Sequence, residues 1–218
     1  AWAWASALRH KEGPVALVLT RQNLATLDRE RLGCPPPSFV AQGGYIARRE
    51  KGEGGPQLIL IATGSELALA LEAAARIEEA DGTPVRVVNL PCWEWFQRQP
   101  ASYRDQVLPP ACRRRLAIEA ASSFGWERWI GLDGRMIGLN RYGASAPAKV
   151  LAEKFGFTVE NIIAQARALA RAFEDAPSRP IVAVRLRDGS GPPGLWCVPG
   201  MLGDPLWYQP LLASLDPA

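Results

Sequence analysis

The chain is poor in the residues that most often carry chemistry: in 218 residues it has one histidine, two methionines and four cysteines. Cys34, Cys92, Cys112 and Cys197 stand far apart, without a C-x-x-C pair and without a nearby histidine, so no zinc set can be read from their spacing. A reduced, cytoplasmic setting fits them best. No apolar run approaches the roughly 20 residues that cross a bilayer, and the start lacks the basic-then-apolar layout of a secretory signal, so no membrane partner is expected. Charge of one sign is also missing. Lys and Arg number 25 against 22 Asp and Glu, a net +3, and the basic residues are scattered, which argues against nucleic acid. There is no initiator methionine: Ala1-Trp2-Ala3-Trp4-Ala5 runs directly into helix-compatible sequence and reads as a piece of something longer.

Strands and helices alternate along the rest. Residues 2 to 11 suit the end of a helix closed by Gly13-Pro14, and Val15-Ala16-Leu17-Val18-Leu19 is an apolar run of the kind a parallel sheet buries on both faces. From Gly33 to Gly55 the sequence turns to prolines, paired glycines and mixed charges, an interdomain connection with a short strand within Gly43 to Arg48. Gln57 to Thr63 predicts a strand. Gly64-Ser65-Glu66 turns into a helix with Leu67, Ala70, Leu71, Ala74 and Ile77 on one face, ended by Gly82. Val85 to Leu90 completes a β-α-β unit. Arg115 to Ala120 predicts another strand, and Ala148 to Phe155 a helix broken at Gly156. Thr158 then caps a last helix striped with Val159, Ile162, Ile163, Ala166, Leu169, Ala170 and Phe173. The alternation predicts a three-layer α/β/α domain with a mostly parallel sheet. Its expected divisions are 1–32, the end of a preceding domain; 33–55, a linker; 56–175, the main domain; and 176–218, an unrelated tail.

Few residues qualify as site candidates. Arg21 follows the run at 15–19, and an arginine at the carboxyl end of a buried strand suits a phosphate or carboxylate, which its planar fork binds at two oxygens. The alternative is a surface arginine paired with Asp28 or Glu30. His10, beside Arg9 and Lys11 at a helix end, suits an exposed capping role. Ala62-Thr63-Gly64-Ser65-Glu66 lacks the G-x-x-x-x-G-K spacing of a phosphate loop, so Thr63 or Ser65 is expected to cap the helix while Glu66 meets its positive end. Gly143-Ala144-Ser145-Ala146-Pro147 lacks the final glycine of a nucleophile elbow and reads as a turn before a helix. Trp93, Trp95, Trp126 and Trp129, with Phe96 and Phe124, are expected to pack in the core or against a subunit. Cys92 and Cys112 are expected to be buried and inert.

The segments G-P-V-A-L-V-L-T-R-Q-N-L at 13–24, G-G-Y at 43–45, L-I-L-I-A-T-G-S-E at 58–66, V-R-V-V-N-L-P at 85–91, Y-R-D-Q-V-L-P at 103–109, G-A-S-A-P at 143–147 and F-G-F-T-V-E-N at 155–161 resemble, in order, the end of the pyrimidine-binding domain and the carboxy-terminal domain of transketolases. The resemblance covers about residues 1 to 173. It implies a homodimeric enzyme that moves a two-carbon ketol unit between sugar phosphates with thiamine diphosphate and a magnesium or calcium ion. It also implies that Arg21, in the T-R-Q-N-L motif, helps hold the sugar phosphate. The family's diphosphate and metal motif, catalytic glutamate and histidines belong upstream, so no catalytic, cofactor-binding or metal-binding residue is assigned within this sequence. The chain alone is expected to be inactive and to complete the fold and support the dimer. Ketol transfer needs an ylid, proton-transfer groups and oxyanion donors, a set His10 cannot supply.

The tail departs from that pattern. Pro180 to Leu186, Pro193 to Gly200 and Trp207 to Leu212 resemble the first strands and oxyanion loop of an α/β-hydrolase thioesterase, whose serine, acid and histidine would come later. A stand-alone interaction or regulatory domain, and a multidomain biosynthetic protein with a thioesterase, remain the alternative readings.

Overall fold

The computed structural model describes residues 1–20 and 22–174; Arg21 and the tail at 175–218 lie outside the described residues. After helix α1 (Trp2–Arg9), a short helix α2 (Arg29–Leu32) and a 3-10 helix (Pro37–Gln42), the chain enters a five-stranded sheet. The strands are β1 (Tyr45–Arg48), β2 (Leu58–Ala62), β3 (Val85–Asn89), β4 (Arg115–Ile118) and β5 (Arg135–Ile137), in spatial order β1-β3-β2-β4-β5. β3, β2, β4 and β5 are mutually parallel, and β1 closes one edge antiparallel to β3. Helix α3 (Glu66–Asp81) joins β2 to β3, and α4 (Trp93–Gln97) and α5 (Ala101–Val107) join β3 to β4. Helix α6 (Glu127–Ile130) joins β4 to β5, and α7 (Ala148–Phe155) and α8 (Val159–Glu174) follow.

The central strands are apolar on both faces because both faces are covered. Ile59, Leu60 and Ile61 of β2 are fully buried, each contributing about 1.5–3 kcal/mol of burial. Alternation splits them between two cores. Leu58, Leu60 and Ala62 join α3 and α8 on one face. Ile59 and Ile61 join Phe96, Val107, Trp126, Trp129 and Ile130 on the other. The result is a three-layer α/β/α arrangement, as the alternating pattern predicts. The five expected apolar positions of α3 are buried, and Gly82 ends the helix at φ +66. Thr158 accepts from the Asn161 amide at 3.2 Å at the start of α8.

The Gly43-Gly44-Tyr45 motif has a packing cause. Gly43 sits at φ +77, and a Cβ there would lie 2.2 Å from the Phe96 nitrogen and 2.4 Å from the Cys92 oxygen. Only glycine lets β1 come this close to α4. The Gly43 carbonyl then accepts from the Cys92 amide at 2.9 Å, and the Tyr45 hydroxyl accepts from Asn89 Nδ2 at 2.8 Å.

Arginines pin the opposite end of the sheet. Arg115, opening β4, donates to the carbonyls of Cys112, Trp129, Leu108 and Pro109 at 2.7–3.1 Å. Arg48 pairs with the buried Glu78 of α3, whose Oε1 also accepts from the amides of Val85 and Lys51 at 3.0 and 3.1 Å. The main chain there is thus satisfied by side chains, not by solvent.

One expected strand does not form. Residues 15–19 lie in neither helix nor strand, and Val18 and Leu19 are 95 % and 70 % exposed. A strand needs a ladder partner, and residues 15–19 pair with none of the five strands. Four elements that the apolar pattern does not disclose, α4, α5, α6 and β5, are short: the three helices are held by the aromatic core and β5 is an edge strand.

Candidate functional site

Neighbouring strands β2 and β4 send their connections to opposite sides. After β2 the chain passes over the α3/α8 face to β3, and after β4 it passes over the aromatic face to β5. The crevice beyond their carboxyl ends is the topological switch point, where open α/β sheets bind ligands. Two residues face each other there. Ala62 pairs with Ile118 as the last register pair of β2 and β4, so Thr63 and Glu119 come next on adjacent strands.

Both backbones are fixed. The Glu119 amide donates to the Ile137 carbonyl at 3.1 Å, and the Leu90 amide to the Ala62 carbonyl at 3.2 Å. Thr63 Oγ1 donates to the Leu90 carbonyl at 3.0 Å. Helix α3 starts three residues after Thr63, and it starts differently from expectation. Ser65 occupies the N-cap position as expected, but no side chain makes a capping hydrogen bond there. Thr63 is held by Leu90, and the Ser65 hydroxyl donates to the Glu66 carboxylate at 3.0–3.1 Å. Glu66 does lie in the first turn, as expected.

Glu119 is the most perturbed acid among the described residues. Burial, and next the like charge of Glu66, push its carboxyl up to about 7, opposed by the nearby Thr63 side chain. A carboxyl that changes charge near neutral pH, at a switch point, has the electrostatic character of a functional group. Sequence reading missed Glu119, which only the β2–β4 pairing brings beside Thr63 and Glu66.

The other candidates separate. Arg21 lies outside the described residues. Its neighbours Thr20 and Gln22 are exposed and in no strand, so the strand expected beneath Arg21 is missing in this chain. Its alternative partner Asp28 instead accepts from the Arg31 amide at 3.0 Å. His10 closes α1 and stacks at 5.9 Å on Trp95, half-buried and not exposed as expected. Trp126, Trp129 and Phe96 are buried core residues, with Trp93 edge-on to Trp126 at 4.9 Å. Phe124 departs from that set: it is 90 % exposed, on a loop whose neighbour Ser123 is tied to Asn140. Cys112 is buried, whereas Cys92 is half-buried, and burial raises both thiols, which keeps them protonated. Residues 143–147 form an exposed turn before α7.

Among the described residues no group of three or more His, Cys, Asp or Glu side chains could hold a metal ion. No helix there is long and apolar enough to cross a membrane.

The fold and switch point define an α/β domain of the doubly wound kind. Residues 43–158 match the model of the transketolase-like C-terminal domain. Transketolase 1 of Pasteurella multocida is 48 % identical over 170 residues, 77 % of this chain and 25 % of that protein. The transketolase of Aquifex aeolicus is 45 % identical over 161 residues, 74 % of this chain and 23 % of that protein. Among solved structures, transketolase from Leishmania mexicana superposes with a TM-score of 0.70 at 38 % identity, covering 81 % of this chain and 24 % of that one. A Pichia stipitis transketolase in complex with sedoheptulose 7-phosphate gives 0.67 at 32 % identity, covering 79 % and 24 %. The chain belongs to the transketolase family, through its C-terminal domain. It spans about a quarter of the length of the curated relatives it matches.

Proposed function

We propose that the chain serves as the carboxy-terminal part of a thiamine-diphosphate enzyme that transfers a two-carbon ketol unit between sugar phosphates. The observation that carries this reading is the continuous match of 170 residues at 48 % identity to a transketolase. In the proposal the cofactor and its magnesium or calcium ion are held upstream, and the cofactor supplies the carbanion chemistry. The residues described here keep the carboxy-terminal domain rigid. Residues 1–32 complete a preceding pyrimidine-binding domain, 33–55 connect it to the domain at 56–175, and 176–218 form a separate tail. Arg21 binds the substrate phosphate through its charged fork. Its support is the T-R-Q-N-L motif, since the strand expected beneath it is not formed. Dimer formation and a cytoplasmic location, in the pentose phosphate pathway, belong to the same proposal.

The test is a chimera. The upstream three-quarters of the Pasteurella multocida transketolase, joined to residues 1–174, is expected to transfer ketol units, whereas the 218-residue chain alone is expected to be inactive. A chimera that folds and binds thiamine diphosphate but transfers nothing would refute the reading. Transfer by the chain alone would refute the division of labour.

A further inference from the structure

Residues 15–19 have the composition of a strand covered on both faces: Val15, Ala16, Leu17, Val18 and Leu19 are apolar at every position, where a strand with one wet face alternates. The fold leaves that demand unmet. Ala16, Val18 and Leu19 are exposed, and Val15 and Leu17 are only half-buried. Among the described residues none of the five makes a main-chain hydrogen bond. The run also carries no charge that would keep another chain away from it.

Helix α1 fixes the start of this segment to the domain. Its small side chains face inward: Ser6 is buried and Ala3 and Ala7 are half-buried, and the helix packs on the 3-10 helix at Pro37–Gln42. His10 stacks on Trp95 at 5.9 Å, and Glu12 accepts from Arg98 at 3.3 Å. Its large side chains, Trp2, Trp4 and Leu8, are the exposed ones. That is the reverse of an ordinary surface helix, which buries its bulky apolar stripe.

The two bare faces of the run decide what can cover it. A second copy could pair its own run with this one, but a two-stranded ladder leaves both faces in water and is marginal there. A parallel sheet that lacks one strand and carries helices on both faces meets the whole demand. The chain spans 25 % of the Pasteurella multocida transketolase, which leaves three-quarters of that protein to supply such a sheet. On the reading of the chain as the carboxy-terminal part of such an enzyme, we propose that residues 13–20 are a donor strand, which a separate upstream polypeptide takes into an incomplete parallel sheet without any covalent join. Pro14, which has no amide hydrogen, starts the inserted strand. Main-chain hydrogen bonds then supply the ladder, and the side chains of residues 15–19 fill both layers. Trp2, Trp4 and Leu8 of α1 pack against the captured sheet's covering layer.

The test is co-expression of the tagged 218-residue chain with the upstream three-quarters of the Pasteurella multocida transketolase as a separate polypeptide. The expected result is a soluble one-to-one complex in which the amides of residues 15–20 exchange hydrogen about a hundredfold more slowly than in the chain alone. Val18 is 95 % exposed, so Val18→Lys and Val18→Pro are expected to leave the melting temperature of the chain alone unchanged. In the complex they bring a buried charge and a missing donor, and are expected to weaken capture about tenfold or more, whereas Val18→Ile is expected to retain it. An upstream piece that stays insoluble beside the chain, capture undiminished in Val18→Lys and Val18→Pro, or amides that exchange as fast in the complex as outside it would each overturn the donor strand. Any of these beside a covalent chimera that transfers ketol units removes the donor strand and keeps the reading of the chain. A complex that protects residues 15–20 beside an inactive chimera keeps the donor strand and removes that reading.

Discussion

Arg86 of β3 and Glu50, two residues beyond β1, are joined at two points: Nε to Oε2 at 2.8 Å and Nη2 to Oε1 at 2.5 Å, with side chains 7 % and 9 % exposed. Arg86 also donates to the carbonyls of Gln106 and Val107 at 2.7 and 3.2 Å. One guanidinium thus ties the edge strand, the centre of the sheet and the end of α5 together. Removing one partner of a buried pair strands the other charge. Glu50→Ala is expected to cost about 3–5 kcal/mol in urea unfolding. A loss under about 1 kcal/mol, the range of exposed pairs, would mean that water screens this one.

Stability should depend on pH with two limbs of opposite sign. Burial alone would raise the carboxyls of Glu50 and Glu78, but hydrogen bonds from Arg86 and Arg48 outweigh it and hold both below their ordinary value. Their contribution is present above the ordinary carboxylate range and is lost as pH falls through the lowered folded values.

Glu119 runs the other way. Its folded value is raised from 4.5 to about 7, so the folded chain binds the extra proton and stability falls as pH climbs between those values. At about 1.36 kcal/mol per pH unit the fall is at most about 3 kcal/mol, reduced by the partial exposure of the group. E119Q is expected to flatten that limb in denaturation curves at pH 5, 6, 7 and 8, and an unchanged limb would assign it to another group.

Gly43→Ala should be among the most damaging single-methyl changes in the domain. The added Cβ meets backbone atoms of Phe96, Cys92 and Trp95 at 2.2–2.8 Å, at a φ of +77. Overpacking and left-handed strain together predict a loss of about 3 kcal/mol or more. The same change at Gly54, where nothing lies within 4 Å of the added carbon, should cost under about 1 kcal/mol. Equal melting temperatures for the two variants would contradict the close approach of β1 to α4.

Arg21→Ala, made in the chimera, is expected to raise KM for phosphorylated sugars about tenfold or more, the loss of one charged hydrogen-bonding pair. Unchanged kinetics would remove Arg21 from the substrate site.

By itself, the sequence determined the layers and the family. Long apolar periodicities encode α3 and α8, and buried runs encode β2 and β3, because burial on one or two faces leaves a pattern within a single segment. Gly82, Gly156 and Thr158 mark helix ends through local backbone chemistry. Tertiary structure alone decided what depends on residues distant in the chain. The run at 15–19 has a buried strand's composition but no partner, and a ladder cannot be read from one segment. The short helices α4 to α6 exist because Trp93 and Phe96, Val107, and Trp129 pack together on one face of the sheet, not because of periodicity. Glu119 is an ordinary acid in the sequence; the parallel pairing of β2 with β4 places it beside Thr63 and Glu66, where burial and like charge make it hold a proton.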